Sequence, residues 1–175
     1  MDVDIAVPRS ADAGEFVAAV RESRSLHQPW LDPPDTPGRF AAYLDRAAQD
    51  DQAAYLLRHR HCGALVGYVN INNIVRGGFQ SGYLGYGAFA SHAGQGFMTR
   101  GLAAVLDAAF GDLGLHRVEA NIQPANQRSI RLARRLGFEK EGVSPGYLIV
   151  DGKWRDHERW AIRAETWSAR HAACG

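Results

Sequence analysis

An α+β fold follows from three features of the 175-residue chain. Apolar residues recur at Met98, Leu102, Val105, Leu106 and Ala109, the spacing of one buried helical face. Val118, Ala120 and Ile122 alternate with Arg117, Glu119 and Asn121, as in a strand buried on one side. Strand-like runs also follow one another through tight turns at Cys62-Gly63, Gly77-Gly78 and Asp151-Gly152, the last a hairpin signal. The chain length fits a single domain over residues 1–175 with a real core.

Each element has its own warrant. Val3 to Val7 reads as a short strand, and Asp12 is placed to cap a helix running to about Ser25. HQPWLDPPDTPG carries four prolines and reads as a loop. Phe40, Tyr43, Leu44 and Ala47 form a helical stripe, followed by strands near Ala54–His59, Ala64–Ile74 and Ser81–Phe89. After the strand at Arg117–Ile122, Pro124 stops pairing and Asn126 is set to cap the next helix. Ile130, Ala133 and Leu136 line that helix, and Gly137 supplies its left-handed end. Three strands close the chain, near Phe138–Val143, Tyr147–Val150 and Lys153–Ile162.

The most informative stretch is SHAGQGFMTRGLAAVLDAAF, where Gly94 and Gly96 precede a helix and follow a strand. Such a junction is an anion site: free backbone N–H groups point outward and the helix dipole favours negative charge. Glycine lets a phosphate approach the main chain where a Cβ would collide. The P-loop is excluded, because Phe97 and Met98 follow Gly96 where Lys-Ser/Thr is required. A dinucleotide fingerprint on Gly85, Gly87 and Ala90 fails too, since those residues lie in a strand pattern and no helix follows them.

Gly94 and Gly96 instead resemble the pyrophosphate loop of the GCN5-related N-acetyltransferases, Gln/Arg-x-x-Gly-x-Gly/Ala, with Ser91 in the usual Gln/Arg place. HRVEANIQPANQRSIRLARRLGFEKEG is similar to the second half of that family, with its Asn-x-x-Ser helix and Gly-Phe corner. NIVRGGFQSGYLGYG and YLIVDGKWRDHERWAI narrow the resemblance to the ribosomal-protein-alanine N-acetyltransferases, over roughly Ala64 to Ile162. The resemblance implies a central mixed, mostly antiparallel sheet flanked by helices. Its strands at Leu84–Phe89 and Arg117–Ile122 would splay around coenzyme A. It implies acetyl-CoA as co-substrate, held by Gly94, amides of Gln95, Gly96, Met98 and Thr99, and the segment of Phe89 and Ala90, with an oxyanion donor within Ala88 to Ala90. Asn126 and Ser129 would border the pantetheine arm.

The catalytic residues are less sharply marked. Glu119 on the second splayed strand is a base candidate, its other reading being a carboxylate paired with a nearby arginine. The first splayed strand has Tyr83 where relatives often carry glutamate, and Ala133 replaces the usual thiolate-protonating tyrosine. By resemblance Ser129 passes the proton, or else it satisfies a backbone N–H. Trp30, Tyr86, Tyr147 and Trp154 are acceptor-pocket walls or core aromatics. Glu141, Asp156 and His157 could contact an acceptor ammonium or simply be solvated. Deprotonating an α-amine at pH 7 costs about 1 kcal/mol against about 4.6 for a lysine, so the missing carboxylate favours an α-amine or another weakly basic amine as acceptor.

A formal charge of +1 with mixed signs argues against a nucleic-acid surface, and RLARRLG reads as a solvated helix face. No apolar run approaches a membrane span, and the N-terminus does not read as a signal peptide. Cys62 and Cys174 lack a motif partner, which suits a reduced, cytoplasmic protein, and no metal-ligand spacing occurs among the histidines and carboxylates. The expected partners are a protein N-terminus or a small-molecule amine, with no nucleic acid and no membrane, and the expected assembly is a monomer or homodimer.

Overall fold

A computed structural model describes residues 2–172. Among them seven strands form one sheet in the order β1-β2-β3-β4-β5-β7-β6. These are β1 (Val3–Ala6), β2 (Ala53–His59), β3 (Leu65–Val75), β4 (Ser81–Ala88), β5 (Arg117–Ile122), β6 (Glu139–Val150) and β7 (Lys153–Arg163). Every neighbouring pair is antiparallel except β4 and β5.

The alternation of side chains splits the core between two faces. Leu57, Val69, Val118, Ala120 and Ile122 face α4 (Phe97–Phe110) and α5 (Gln127–Leu136). Leu56 and Tyr68 face α1 (Ala13–Glu22) and α3 (Pro37–Ala47), where Phe16 packs within 6 Å of Phe40, Tyr43, Tyr68 and Phe89. Gly101 lets α4 settle onto β2, because a Cβ there would lie 2.4 Å from Leu57.

The feature that positions the site lies between β4 and β5. Their pairing runs from Ser81↔Arg117 to Leu84↔Ala120 and then stops. Beyond it, Gly85–Ala88 and Asn121–Ile122 continue without pairing to each other, so the sheet opens in its middle.

Several local expectations change. Asp12 does not cap α1 through its side chain; its carboxylate accepts from Arg9 N and Arg58, and a 3-10 turn at Ser10–Asp12 leads in. The helix ends at Glu22, and Ser23 separates it from α2 (Arg24–His27). The proline loop is shorter than its composition suggests, because Thr36 caps α3 and Pro37 occupies its first turn, where a fixed φ helps and no N–H is needed. The two short strands after Gly137 join as β6, with the register shift between Ser144 and Leu148 absorbing Pro145 on an edge strand. A final helix, α6 (Ala164–Ala172), was not anticipated; Trp167 on it is buried and donates its indole N–H to Asp107 at 2.8 Å. Cys62 is exposed, and Cys174 lies outside the described residues. Among the described residues no helix is long and apolar enough to cross a membrane.

Candidate active site

The glycine loop enters α4 with the expected geometry. Gly94 and Gly96 have φ of +79° and +82°, and Gly96 is the N-cap. Only glycine adopts such angles at little cost, so the loop turns sharply and leaves main-chain donors pointing outward. Among the described residues no protein group accepts from the N–H of Gln95, Gly96, Phe97 or Met98. Thr99 differs from expectation: its N–H donates to Gly96 O at 3.1 Å, closing the first turn, so Phe97 takes its place among the free donors.

Two guanidiniums flank this loop. Arg100 lies 4.8 Å over the Phe97 ring and donates to Gln95 O at 3.2 Å. Arg135, near the end of α5, donates to Thr99 Oγ1 at 3.3 Å. Both were missed in the sequence. Arg135 belongs to RLARRLG, and nothing in a linear pattern shows that the C-terminal end of α5 meets the N-terminal end of α4.

The open edge of β4 presents alternating backbone groups. Phe89 N donates to Val66 O at 3.0 Å across the β3–β4 ladder. In an antiparallel pair the direction alternates, so the peptide groups of Ala88 and Tyr86 turn toward the gap that β5 leaves. His27 Nε2 donates to Ala88 O at 2.8 Å on that side. Ala90 N donates to Ser23 Oγ at 2.8 Å. Of the expected oxyanion donors within Ala88 to Ala90, Phe89 and Ala90 therefore have committed N–H groups, and Ala88 keeps its own toward the gap. Burial lowers the His27 pKa, opposed by its bond to Ala88, and its Nδ1 has no partner.

A cleft of about 80 Å³ occupies the gap. Leu84 and Tyr86 of β4 line it together with Gly85, and Ala120 and Ile122 of β5 together with Asn121. Consecutive strand residues point to opposite sides, so the cleft passes through the sheet. Asn126 and Ser129 border it on the α5 side; Trp30, Leu31 and His157 complete its wall. Asn126 caps α5 by accepting from Ser129 N at 3.2 Å. The Ser129 hydroxyl is thus not the capping group, and it lies near the Tyr86 phenol, whose pKa burial pushes up to about 12 against the opposing effect of Ser129.

Other candidates lie elsewhere. Glu119 pairs with Tyr83 in the closed part of the β4–β5 ladder and is not among the cleft-lining residues. One carboxylate oxygen accepts from Arg117 Nε at 3.0 Å and the other from Arg159. Arg117 also binds Glu141, whose carboxyl it holds below the usual range. Tyr147 is likewise outside the wall, its ring 5.9 Å from that of His157 and beneath the Arg159 guanidinium at 4.8 Å. Trp154 is 66% exposed and does not line the cleft. Asp156 accepts from Gly146 N at 2.8 Å. In the sequence Asn121 reads only as one polar residue of an alternating strand, yet its side-chain oxygen is buried with no partner on a residue of the cleft wall.

Comparison with known proteins agrees with this geometry. Residues 4–139 match the acetyltransferase (GNAT) domain. The chain is 35% identical over 124 residues to a probable N-acetyltransferase YjcK of Bacillus subtilis, covering 71% of this chain and 68% of that one. It is 41% identical over 104 residues to the ribosomal protein uS5-alanine N-acetyltransferase of Escherichia coli, covering 59% of this chain and 54% of the relative. The match thus spans about half the length of the Escherichia coli protein. Among solved structures, Mycobacterium smegmatis RimJ in complex with CoA-disulfide superposes with a TM-score of 0.87 at 28% identity, covering 99% of this chain and 89% of that one. With its glycine loop, its parted central strands and a domain match over most of its length, the chain belongs to the GNAT acetyltransferase family and is an N-acetyltransferase.

Proposed function

We propose that this enzyme moves an acetyl group from acetyl-CoA to the α-amine of a protein N-terminus, most closely an alanine-first end of the kind named for its Escherichia coli relative. The observation that carries the acceptor class is a second cavity, of about 210 Å³, on the α1–α3 side of the sheet. It shares Leu31, Gly85 and Tyr86 with the cleft, so the two cavities adjoin across β4. Gln52, Asn70 and Asn72 in its wall offer donors and acceptors for a main chain, and Leu31, Pro33 and Pro34 offer apolar surface. Such adjoining cavities suit a polypeptide entering by its first residue better than a small closed cup would.

The residues also fit the donor. A diphosphate needs N–H groups and positive charge. Gln95 to Met98 supply unpartnered donors at a helix N-terminus, and Arg100 and Arg135 supply the charge. The through-sheet gap admits an extended arm beside the Ala88 and Tyr86 peptide groups. Bound acetyl-CoA contributes the activated thioester. The Ala88 N–H polarises its carbonyl, and the Ser129 hydroxyl, backed by a phenol that stays protonated, delivers a proton to the leaving sulfur. Asn126 holds the Ser129 backbone in place.

The test is an acceptor screen with acetyl-CoA read by mass spectrometry. Alanine-first peptides, N-blocked lysine peptides, polyamines and aminoglycosides are compared at equal concentration. Acetylation confined to the α-nitrogen of alanine-first peptides is expected; preference for a lysine or a small amine would overturn the acceptor assignment.

A further inference from the structure

His157 is 3% exposed, and His27 is the other histidine among the buried residues of the described chain. It lies on β7, beyond the last β5–β7 pair at Ile122↔Glu158, and so borders the open end of β5. Its Nδ1 lies 2.9 Å from Arg155 O. A carbonyl oxygen can only accept, so Nδ1 carries a proton, and in the neutral ring Nε2 is the lone-pair acceptor. Nε2 has no hydrogen-bond partner among the described residues, yet it is not among the sealed, unpartnered atoms and His157 lines the cleft. The imidazole is therefore held by one nitrogen, and the other is unpaired on a residue that lines the cleft.

A second acceptor shares that cleft. The Asn121 side-chain oxygen is buried without a partner. Asn121 pairs with Arg159, and His157 lies two residues from Arg159, so both project from the sheet face opposite Ala120, Ile122 and Trp160. Two unpartnered acceptors, with the apolar ring of Trp30 in the same wall, match a group that brings several N–H donors and positive charge. Glu119 does not compete, because guanidiniums take both of its oxygens.

We infer that His157 is the general base of the reaction, taking a proton from the acceptor amine through Nε2 while Asn121 Oδ1 orients that amine. The inference rests on the proposed function only for which amine enters. An ammonium acceptor has two protons to lose. The first passes to Nε2 and from the imidazolium to solvent. The freed lone pair then forms the C–N bond to the thioester carbon. As the C–S bond breaks, the second proton moves from nitrogen by way of Ser129 Oγ to the departing sulfur, leaving an amide and a free thiol. The titratable groups around the imidazole are Tyr147, with its ring 5.9 Å away, Tyr86 in the same cleft wall, and Arg159, whose charge Glu119 balances.

His157→Gln places an amide near the Nε2 position without a base, and His157→Asn keeps a donor for Arg155 O. In at least one variant that melts within a few degrees of wild type and binds coenzyme A with unchanged affinity, kcat at pH 7 is expected to fall roughly 100-fold or more. The deficit should shrink as pH rises, because the acidic limb of the kcat/KM profile moves up toward the pKa of the amine itself. Added imidazole should recover part of the rate. A variant that binds coenzyme A and keeps kcat within about threefold, or an unmoved acidic limb, overturns the assignment. If both variants fail to fold, a wild-type kcat/KM profile whose only acidic limb is that of the acceptor amine overturns it, and Asn121→Ala at the wild-type rate and KM rejects the orienting role of Asn121. The comparison is made on whichever amine the wild type acetylates, so failure on alanine-first peptides alone rejects the acceptor proposal and leaves this one standing. Wild-type inactivity on every amine rejects both.

Discussion

Asn126 accepts the Ser129 amide at 3.2 Å, and by doing so it releases the Ser129 hydroxyl from the capping role that a serine in the first turn of a helix often fills. One side chain thus ends the turn after β5 and leaves its neighbour free to face the Tyr86 phenol.

Asn126→Ala should therefore do two things. Loss of the cap costs about 1 kcal/mol, read as a lower urea midpoint. The orphaned amide then competes for the Ser129 hydroxyl, so kcat falls by more than coenzyme A affinity does. Asn126→Asp restores the cap and the midpoint. An alanine variant with wild-type stability would show that the cap carries little weight.

The glycine loop is tested by Gly96→Val. A β-branched residue at φ +82° is strained by roughly 1–2 kcal/mol, and its side chain meets the Arg100 guanidinium, 3.0 Å from the position of Cβ. Calorimetry should show coenzyme A binding at least tenfold weaker. Arg135→Ala should weaken it less, by severalfold, and the difference from wild type should narrow in high salt. Equal affinities in all three proteins would place the diphosphate elsewhere.

Glu119→Gln separates structure from chemistry. Its carboxylate joins Arg117 and Arg159, so its loss leaves the half-buried Arg159 guanidinium without its carboxylate while Arg117 keeps Glu141, and costs about 1–3 kcal/mol. Activity per folded molecule, scaled by the fraction that binds coenzyme A, should stay within about threefold of wild type. A drop of 100-fold in that normalised rate would return the base to Glu119.

His27 gives the fold a pH dependence of defined sign. Burial lowers its pKa below the free value of 6.5, so the unfolded chain binds a proton more readily than the folded one. Stability is complete above about pH 6.5 and declines as pH falls toward the lowered value. His27→Gln keeps a donor for Ala88 O and removes the titration. Urea midpoints at pH 7.5 and 5.5 should differ more for wild type than for the variant; parallel shifts would assign the acid sensitivity to other groups.

Local physics made much of the molecule legible in the sequence. The 3.6-residue stripe of α4, the alternation in β5, the αL glycine ending α5 at φ +91° and the hairpin at Asp151-Gly152 each arise from neighbours a few residues apart. The glycine loop belongs with them, because its free amides follow from chain geometry at a helix start. Where the structure departs from local expectation, a distant group intervenes. Arg58 draws Asp12 off its helix, and the register with β7 carries β6 across Pro145.

The proposed catalytic roles rest on tertiary structure alone. Glu119 and His157 both appear as polar residues in alternating strands, and only the folded sheet sends one into an arginine pair and the other to the open cleft. Arg100 and Arg135 share a loop only after α4 and α5 pack. Sequence determines periodicity, turns and caps because those energies are local. Which carboxylate is neutralised, and which imidazole keeps a free lone pair, depends on partners about 40 residues away or on burial set by the whole sheet.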